Sequence, residues 1–521
     1  MNIRTIAFAL TLVSSPLLGC DELAKETTCA SDEQSCNGAC TTLATDIANC
    51  GACGVRCGSG RVCAAGVCRC GPGTESCGTA CADLSSDPNH CGACNQAACA
   101  APTVCTSSNG ATRCADACAS GQTACDRACV DLETNRYHCG ACGRICGSGE
   151  SCRAGNCTAD LYLACFNVHE IREANADLEL GGAPLATDNG PVRLAWLDQI
   201  LYVANSSANT VSRVLFDPPG VRSMHGASSF KILSNGGWID LEYLATYQGM
   251  LYVSNASFGT LVVLRPDGTL ADEIPLAEHS TDAPSPQGIA FVPGSGGAPD
   301  KAYVALNGTN QVAVIPLADE AACAAPPCTL PAKWIDLQPL ASPGGQAQPS
   351  RLLLRGSRLY VTLWNYDTSG TLWKPAGSGR LAVIDLDSDA LDASIQTASQ
   401  AGLVDLGPGC LDPAEMTLLG DTLYVTCGVF DYSTTPTSIH GSSIVPVDLS
   451  GQVPQVGSPV PAADGTAPGK LTFCDGQGYV GDRNSGLVYR FDPGAGKMSG
   501  GASLCPTANG VAWVSDILCG H

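Results

Sequence analysis

The sequence predicts a mostly β protein in two parts. An N-terminal disulfide-rich, loop-dominated repeat region precedes a seven-bladed β-propeller (six-bladed should the two chain ends not join). Three observations carry this reading. Cysteines recur with fixed spacing in the first third of the chain. A Tyr-Val strand recurs through the rest. Gly 59 and Pro 32, with only 15% charged residues, mark many turns between short strands.

The cysteines come first. Of 33, one is Cys20 and 24 lie between Cys29 and Cys157, in three sets of eight. The sets define repeats over residues 29–68, 70–114 and 118–157. The first and third have identical spacing; the second has one extra residue before Cys99 and four before Cys114. Leu43, Leu84 and Leu132 align between the third and fourth cysteines, as do Asp46, Asp87 and Asn135. This is an internal repeat.

A C-x-x-C-x3-C core suits metal, redox or disulfide chemistry. Metal and iron–sulfur sites need reduced thiolates. Covalent haem needs C-x-x-C-H, and Gly54, Asn95 and Gly143 stand where that His would be. No βαβ pattern accompanies a redox C-x-x-C. Disulfides need export, an even count and a poor core, and all three hold. From Cys29 to Cys157 the only aromatic is Tyr137. A unit with so little to bury does not repay its ordering entropy without cross-links, each contributing about 2–4 kcal/mol. Eight cysteines leave the connectivity open. The recurring Asp/Asn predicts an Asx-turn, with calcium as the alternative; no other cofactor is implied. His90 and His138 precede the C-x-x-C in two repeats, but Asn49 does so in the other, against a shared metal ligand. The repeats resemble cysteine-rich modules of deltaproteobacterial surface lipoproteins, which implies exported interaction modules.

Beyond Thr158–Asp160 the pattern changes. "ILYVANSSANTVSRV", "MLYVSNASFGTLVVL", "KAYVALNGTNQVAVI", "RLYVTLWNYD", "TLYVTCGVFD" and "QGYVGDRNSGLVYRF" place Tyr202, Tyr252, Tyr303, Tyr360, Tyr424 and Tyr479 at intervals of 50 to 64 residues. An apolar strand precedes each, and one or two follow. Four short strands per repeat predict propeller blades over 161–521. The C-terminal "NGVAWVSDILCGH" reads as a first strand and the start of a second. With N-terminal "LYLACFNVHEI" and "ADLELGG" it would complete a seventh blade and close the ring, leaving no open sheet edge. The Tyr-Val-x-Asn phrase, intact at Asn205 and Asn255, resembles the YVTN family of extracellular propellers; Leu306, Leu363, Cys427 and Asp482 depart from it. The Asn reads as closing the turn after the second strand.

The first 19 residues carry Arg4 and an apolar stretch too short to span a bilayer. Leu17-Leu18-Gly19-Cys20 resembles a bacterial lipobox. That resemblance implies signal-peptide cleavage, lipidation of Cys20, a tether over 20–28, and a membrane-anchored envelope protein, outer membrane or cell surface favoured over the periplasmic side of a membrane. A net charge of −22 excludes a generally cationic nucleic-acid binder.

Two places stand out for function. Long loops of consecutive blades carry Trp364, Tyr366, Trp373, Phe430, Tyr432 and His440, aromatic contact area for a protein or carbohydrate ligand. Aligned innermost strands put Arg193, Tyr243, Gly288, Arg351, Glu415, Lys470 and Gly510 in one column at the channel mouth. Its three cations suit an anion or pair with neighbouring loops. Eight further cysteines suggest the pairs Cys323–Cys328, Cys410–Cys427, Cys165–Cys519 and Cys474–Cys505. No catalytic constellation is legible. The Asp385–Asp389 run lacks the glycine and closing Glu of a calcium loop, with Ala390 and Gln396 in their places. The functional expectation is a stapled stalk carrying a propeller platform for binding or adhesion. The alternatives are a lactonase-like propeller hydrolase with a divalent metal in its channel, and a purely structural envelope protein.

Overall fold

The computed structural model describes residues 34–36, 39–41, 43, 49–57, 61–64, 66–70, 74–78, 80–94, 96–108, 111–146, 150–198, 200–216, 224–232, 240–294, 299–317, 326–370, 374–397, 400–431, 438–462, 465–505 and 513–520. Two compact units divide at Asp131/Leu132. The division falls inside the third cysteine repeat. Among the described residues only strands, turns and short 3-10 segments occur. No described helix is long and apolar enough to cross a membrane.

The repeats are held by sulfur. The second pairs Cys70–Cys81, Cys77–Cys94, Cys91–Cys105 and Cys99–Cys114. In order within the repeat, first joins third, second fifth, fourth seventh and sixth eighth. The same scheme gives Cys36–Cys53, Cys50–Cys63 and Cys57–Cys68 in the first repeat. It gives Cys118–Cys129, Cys139–Cys152 and Cys146–Cys157 in the third, where Cys125 and Cys142 are also oxidised. Among the described residues, the buried cluster of the third repeat is four half-cystines, Cys139, Cys146, Cys152 and Cys157.

The repeated residues between the cysteines have backbone roles. The Gly after the fourth cysteine donates its N–H to the aligned leucine carbonyl: Gly51 to Leu43, Gly92 to Leu84, Gly140 to Leu132, all at 2.8 Å. Gly51 and Gly140 have φ of +74° and +72°, and a Cβ on either would strike the carbonyl of Gly66 or Gly155. The Asn/His exchange before the C-x-x-C is also explained. Asn49 Oδ1 accepts from Gly54 N–H at 2.8 Å, and His138 Nδ1 accepts from Gly143 N–H at 3.0 Å. Asp87 and Asn135 make Asx-turns, accepting from the N–H of Asn89 (2.8 Å) and Tyr137 (2.9 Å). Asp46 lies outside the described residues.

The second unit holds seven sheets of four or five strands among its described residues. Six follow the chain, and we number these blades by their innermost strands: Pro191–Leu197, Leu241–Tyr247, Pro286–Val292, Pro349–Arg355, Pro413–Leu419 and Pro468–Cys474. The closing blade joins Val514–Cys519 to Leu161–Cys165, Glu170–Ala174 and Leu180–Ala186. Among the described residues the C-terminal segment supplies one strand of this blade, Val514–Cys519. Successive innermost strands pack side by side, and Val514–Cys519 lies between those of blades 6 and 1, so the ring is shut.

The recurring tyrosine couples neighbouring blades. On the second strands, Tyr202, Tyr252, Tyr303, Tyr360 and Tyr479 are buried. The hydroxyls of Tyr202, Tyr303 and Tyr479 donate to Pro266 O (3.0 Å), Asp389 Oδ1 and Ala176 O (3.1 Å), in each case in the next blade. A buried ring with a satisfied hydroxyl supplies both apolar area and register. Asn205 Nδ2 donates to Thr210 Oγ1 at 3.1 Å and Ser212 Oγ at 2.8 Å, closing the following turn.

Where the phrase departs from Asn, other chemistry ties down the same strand end. Asp482 Oδ1 accepts from Ala467 N–H at 2.8 Å. Cys427 is bridged to Cys410, and Cys165 to Cys505, each partner lying in the segment leading into the blade's innermost strand. A further propeller bridge is Cys474–Cys519. The expected pairs Cys165–Cys519 and Cys474–Cys505 are therefore corrected. Antiparallel register sets Cys165 opposite Val514 but Cys519 opposite Leu161. At ~3.3 Å per residue these two cysteines stand at opposite ends of the strand pair, far beyond a disulfide's reach of about 4.4–6.8 Å between Cα atoms. Cys328 is disulfide-bonded, while Cys323 lies outside the described residues.

Residues 132–157 belong to the propeller's compact unit. Their hairpin, Glu150–Arg153 with Asn156–Ala159, is tied on by Arg153, whose Nη2 bonds Asp160 Oδ1 at 2.8 Å and Asp475 Oδ2 at 2.7 Å.

Candidate functional site

Each innermost strand begins with a register shift, as between Pro191 and Arg193, Leu241 and Tyr243, or Pro413 and Glu415. A bulge re-aims the side chains beside it, and here it helps bring side chains from all seven sheets to one mouth. Arg193 comes from blade 1, Glu242 and Tyr243 from blade 2, Gln287 from blade 3 and Arg351 from blade 4. Glu415 comes from blade 5, Lys470 from blade 6 and Asp516 from the closing blade.

These groups form one network. Glu415 Oε1 accepts from Arg193 Nη2 and from Arg351 Nε, the latter at 2.6 Å. Arg193 Nη1 and Lys470 Nζ stand 3.6 and 3.7 Å from Asp516 Oδ1. Arg351 Nη1 reaches Gln287 Oε1 at 3.4 Å. Both guanidinium groups lie over the Tyr243 ring, at 4.9 and 5.6 Å from its centroid. Arg193 and Asp516 are 4% exposed as side chains, Glu415 10%, Arg351 14% and Lys470 23%, so most of the charge is held out of bulk water.

The electrostatics follow from this packing. Burial pushes the Glu415 carboxyl up, but Arg193, Arg351 and Lys470 outweigh it and hold the group well below the usual carboxylate range. Burial works to discharge Arg193 and Lys470, and the facing carboxylates overcome it, so both stay charged. Glu242 behaves oppositely. Burial, then Asp240, push it up to about 7, against Arg351, Arg193 and its bond with Gln287.

Sequence alignment placed Arg193, Arg351, Glu415 and Lys470 in one column, and the structure brings them together. It put Gly510 in the closing blade's place, but residue 510 lies outside the described residues and Asp516 fills the column. Glu242 and Gln287 were also missed, because each neighbours a column position displaced by the bulge. The three cations are not open: each faces a carboxylate. Those ion pairs also decide the fit of a channel metal. A divalent ion needs several free oxygen ligands, and Glu415 and Asp516 are engaged by arginine and lysine. This donor set does not fit one.

The loop wall is partly described. Trp364 and Tyr366 are half-buried. The Tyr366 hydroxyl bonds Asp412, a carboxyl pushed up by burial and opposed by Arg483, so the ring serves a blade-to-blade contact. Two strands of blade 5, Thr422–Asp431 and Ser438–Asp448, run on together beyond the sheet, pairing Val429 with His440 and Phe430 with Ile439. His440 is exposed. Trp373, Tyr432 and the Phe430 side chain lie outside the described residues. Antiparallel alternation places this hairpin on the same face as the channel mouth.

A metal was the rival reading of the cysteines. In each repeat three sulfurs from two neighbouring bridges lie within 4.8 Å of one another, as Cys139, Cys146 and Cys157 do. All are oxidised, so none offers a thiolate.

Fold and site together define a closed β-propeller with a charged channel mouth, joined to disulfide-stapled repeats. The profile of the stigma-specific STIG1-like protein family matches residues 18–71 and 98–160, the repeat region only. No curated protein sequence matches the chain. Among solved structures, a periplasmic gluconolactonase of Pseudomonas aeruginosa is similar at 18% identity and a TM-score of 0.43, covering 69% of this chain and 99% of its own. Virginiamycin B lyase from Staphylococcus aureus is similar at 12% identity and a TM-score of 0.40, over 60% and 83%. Hydrazine synthase of Kuenenia stuttgartiensis is similar at 16% identity and a TM-score of 0.40, over 58% and 76%.

Proposed function

We propose that the chain is an exported envelope protein, anchored by lipid on Cys20, whose cysteine repeats form a cross-linked stalk and whose propeller is a binding platform. The observation that carries this is the oxidised cysteine ladder, since disulfides persist in exported proteins and not in a reducing cytosol. The lipobox-like Leu17–Cys20 supports the anchor. The extended hairpin of blade 5, beside the seven-strand mouth, supports ligand binding on that face, because loops on a rigid scaffold carry recognition. The ligand is a protein or a carbohydrate, and no nucleic acid is expected.

The test is a membrane-impermeant amine label on intact cells, with Cys20→Ala alongside. Labelled wild-type protein in the membrane fraction, and release of the variant from membranes, are expected. Protection of the wild type from label, or unchanged membrane partition of the variant, would overturn the surface anchor.

A further inference from the structure

We propose that a cavity between blades 4 and 5, on the face opposite the channel mouth, is a binding site for a neutral mono- or disaccharide. The binding-platform reading puts its ligand on the other face, so this is a second site and does not rest on that reading.

Three features carry it. The first is the cavity itself. Its volume is about 420 Å³, within the about 300–1,000 Å³ of small-molecule sites. Innermost strands start at the mouth, so Arg355, at the far end of Pro349–Arg355, lies on the opposite face. The turn from Arg355 to Arg358, leading into the second strand of blade 4, forms one wall. Asp385 and Ser394 of the same blade and Gln452 of blade 5 form the rest. Ser357, Ser394 and Gln452 are exposed, so the cavity opens to solvent.

The second is a rigid floor. Arg358 is 17% exposed and fully engaged. Its Nε bonds Asp392 Oδ2 at 2.7 Å, its Nη1 the Gln452 carbonyl at 2.7 Å and its Nη2 Ser394 Oγ at 3.0 Å. The bond to Gln452 ties blade 4 to blade 5, and so does Arg355 Nη2, which donates to Asp421 Oδ1. A seat fixed before the ligand arrives lowers the ordering cost of binding.

The third is the polar groups left to give. Asp385 Oδ1 accepts from the N–H and hydroxyl of Ser388, at 2.9 and 2.7 Å, and its Oδ2 has no hydrogen-bond partner among the described residues. The same holds for Ser357 Oγ, the Gln452 side-chain amide and Arg355 Nη1. The set is one acceptor, one guanidinium donor, and two groups that donate and accept. Adjacent sugar hydroxyls, each a donor and an acceptor, match it. Other ligand classes do not. The apolar lining residues, Tyr360 and Leu449, are 1% and 8% exposed, so an apolar ligand finds no surface. Asp392 and Asp421 are paired with arginine, and Asp385 remains. One carboxylate opposes an anion and offers too few oxygens for a metal ion.

The test is ligand-observed saturation-transfer NMR on the full-length, oxidised protein. The probes are maltose, cellobiose, lactose and diacetylchitobiose, with glucuronate and glucosamine as charged counterparts. At least one neutral disaccharide is expected to bind, more tightly than either charged sugar. Ser357→Trp, at an exposed turn position, fills the cavity and should abolish the signal. Gln452→Ala keeps the carbonyl that Arg358 uses, removes the amide, and should weaken binding at least fivefold. Both variants should keep the wild-type urea midpoint. No transfer to any neutral sugar, tighter binding of a charged one, or full affinity in Ser357→Trp would overturn the proposal. Each of those outcomes leaves the surface-labelling result standing, so the two readings fail separately.

Discussion

Glu415→Gln is the sharpest test of the channel network. The substitution keeps shape and removes one charge. Glu415 Oε1 accepts from both Arg193 and Arg351, and its side chain is only 10% exposed. A hydrogen bond to a charged group is worth about 1.5–3 kcal/mol. Two are weakened together, and two buried cations lose their shared counter-charge. Breaking a buried ion pair by removing one partner costs about 3–5 kcal/mol, and that is the loss predicted for the propeller. Urea unfolding at pH 7, followed by tryptophan fluorescence, reads it as a lowered midpoint with an unchanged slope. The pH dependence adds a signed check. The Glu415 carboxyl is held below its ordinary range, so its stabilisation is present above the unfolded value near 4.5 and is lost as the pH falls toward its folded value. The variant should lack that acid-side loss. A change below about 1 kcal/mol at neutral pH would refute the reasoning, because a pair worth so little is solvated like one at a surface.

Two further predictions follow from single residues. Burial, then Glu150, push Glu173 up to about 7, so the folded state holds this proton more tightly than the unfolded chain. Its contribution to stability is then full below about 4.5 and declines by up to about 3 kcal/mol as the pH rises to 7. Glu173→Gln should abolish that decline and be the more stable protein at pH 8 in paired unfolding curves; parallel curves would contradict it. Gly140→Ala places a Cβ against the carbonyl of Gly155 at a φ of +72°. Strain at such a position costs on the order of 1–3 kcal/mol before the clash is counted. Slower or scrambled pairing of Cys139 and Cys146 on oxidative refolding should report it, and wild-type refolding would count against the tight approach.

Much of the architecture is legible from residue spacing, for physical reasons. Eight cysteines at fixed intervals in a chain with so little to bury mark a stapled repeat, though spacing alone leaves the pairing open. The tyrosines recur because each of these blades buries one ring on its second strand, and Tyr202, Tyr303 and Tyr479 also send the hydroxyl to the next blade. Residues set by register are harder to read. Asp516 was hidden because Val511-Ala512-Trp513-Val514 is as good a strand start as the true one at Val514. Glu242 and Gln287 were hidden because a bulge shifts which neighbour faces the channel. The partners of Cys165 and Cys519 depend on which strand ends coincide, and composition carries no trace of that.

The account depends on covalent sulfur bonds shaping the first third of the chain. Mass mapping of non-reduced peptides from protein purified out of the cell envelope tests this most directly. The predicted result is cross-linked peptides joining Cys77 to Cys94, Cys91 to Cys105 and Cys99 to Cys114, with matching links in the third repeat. Free thiols at these positions, or thiolates holding a metal, would contradict it.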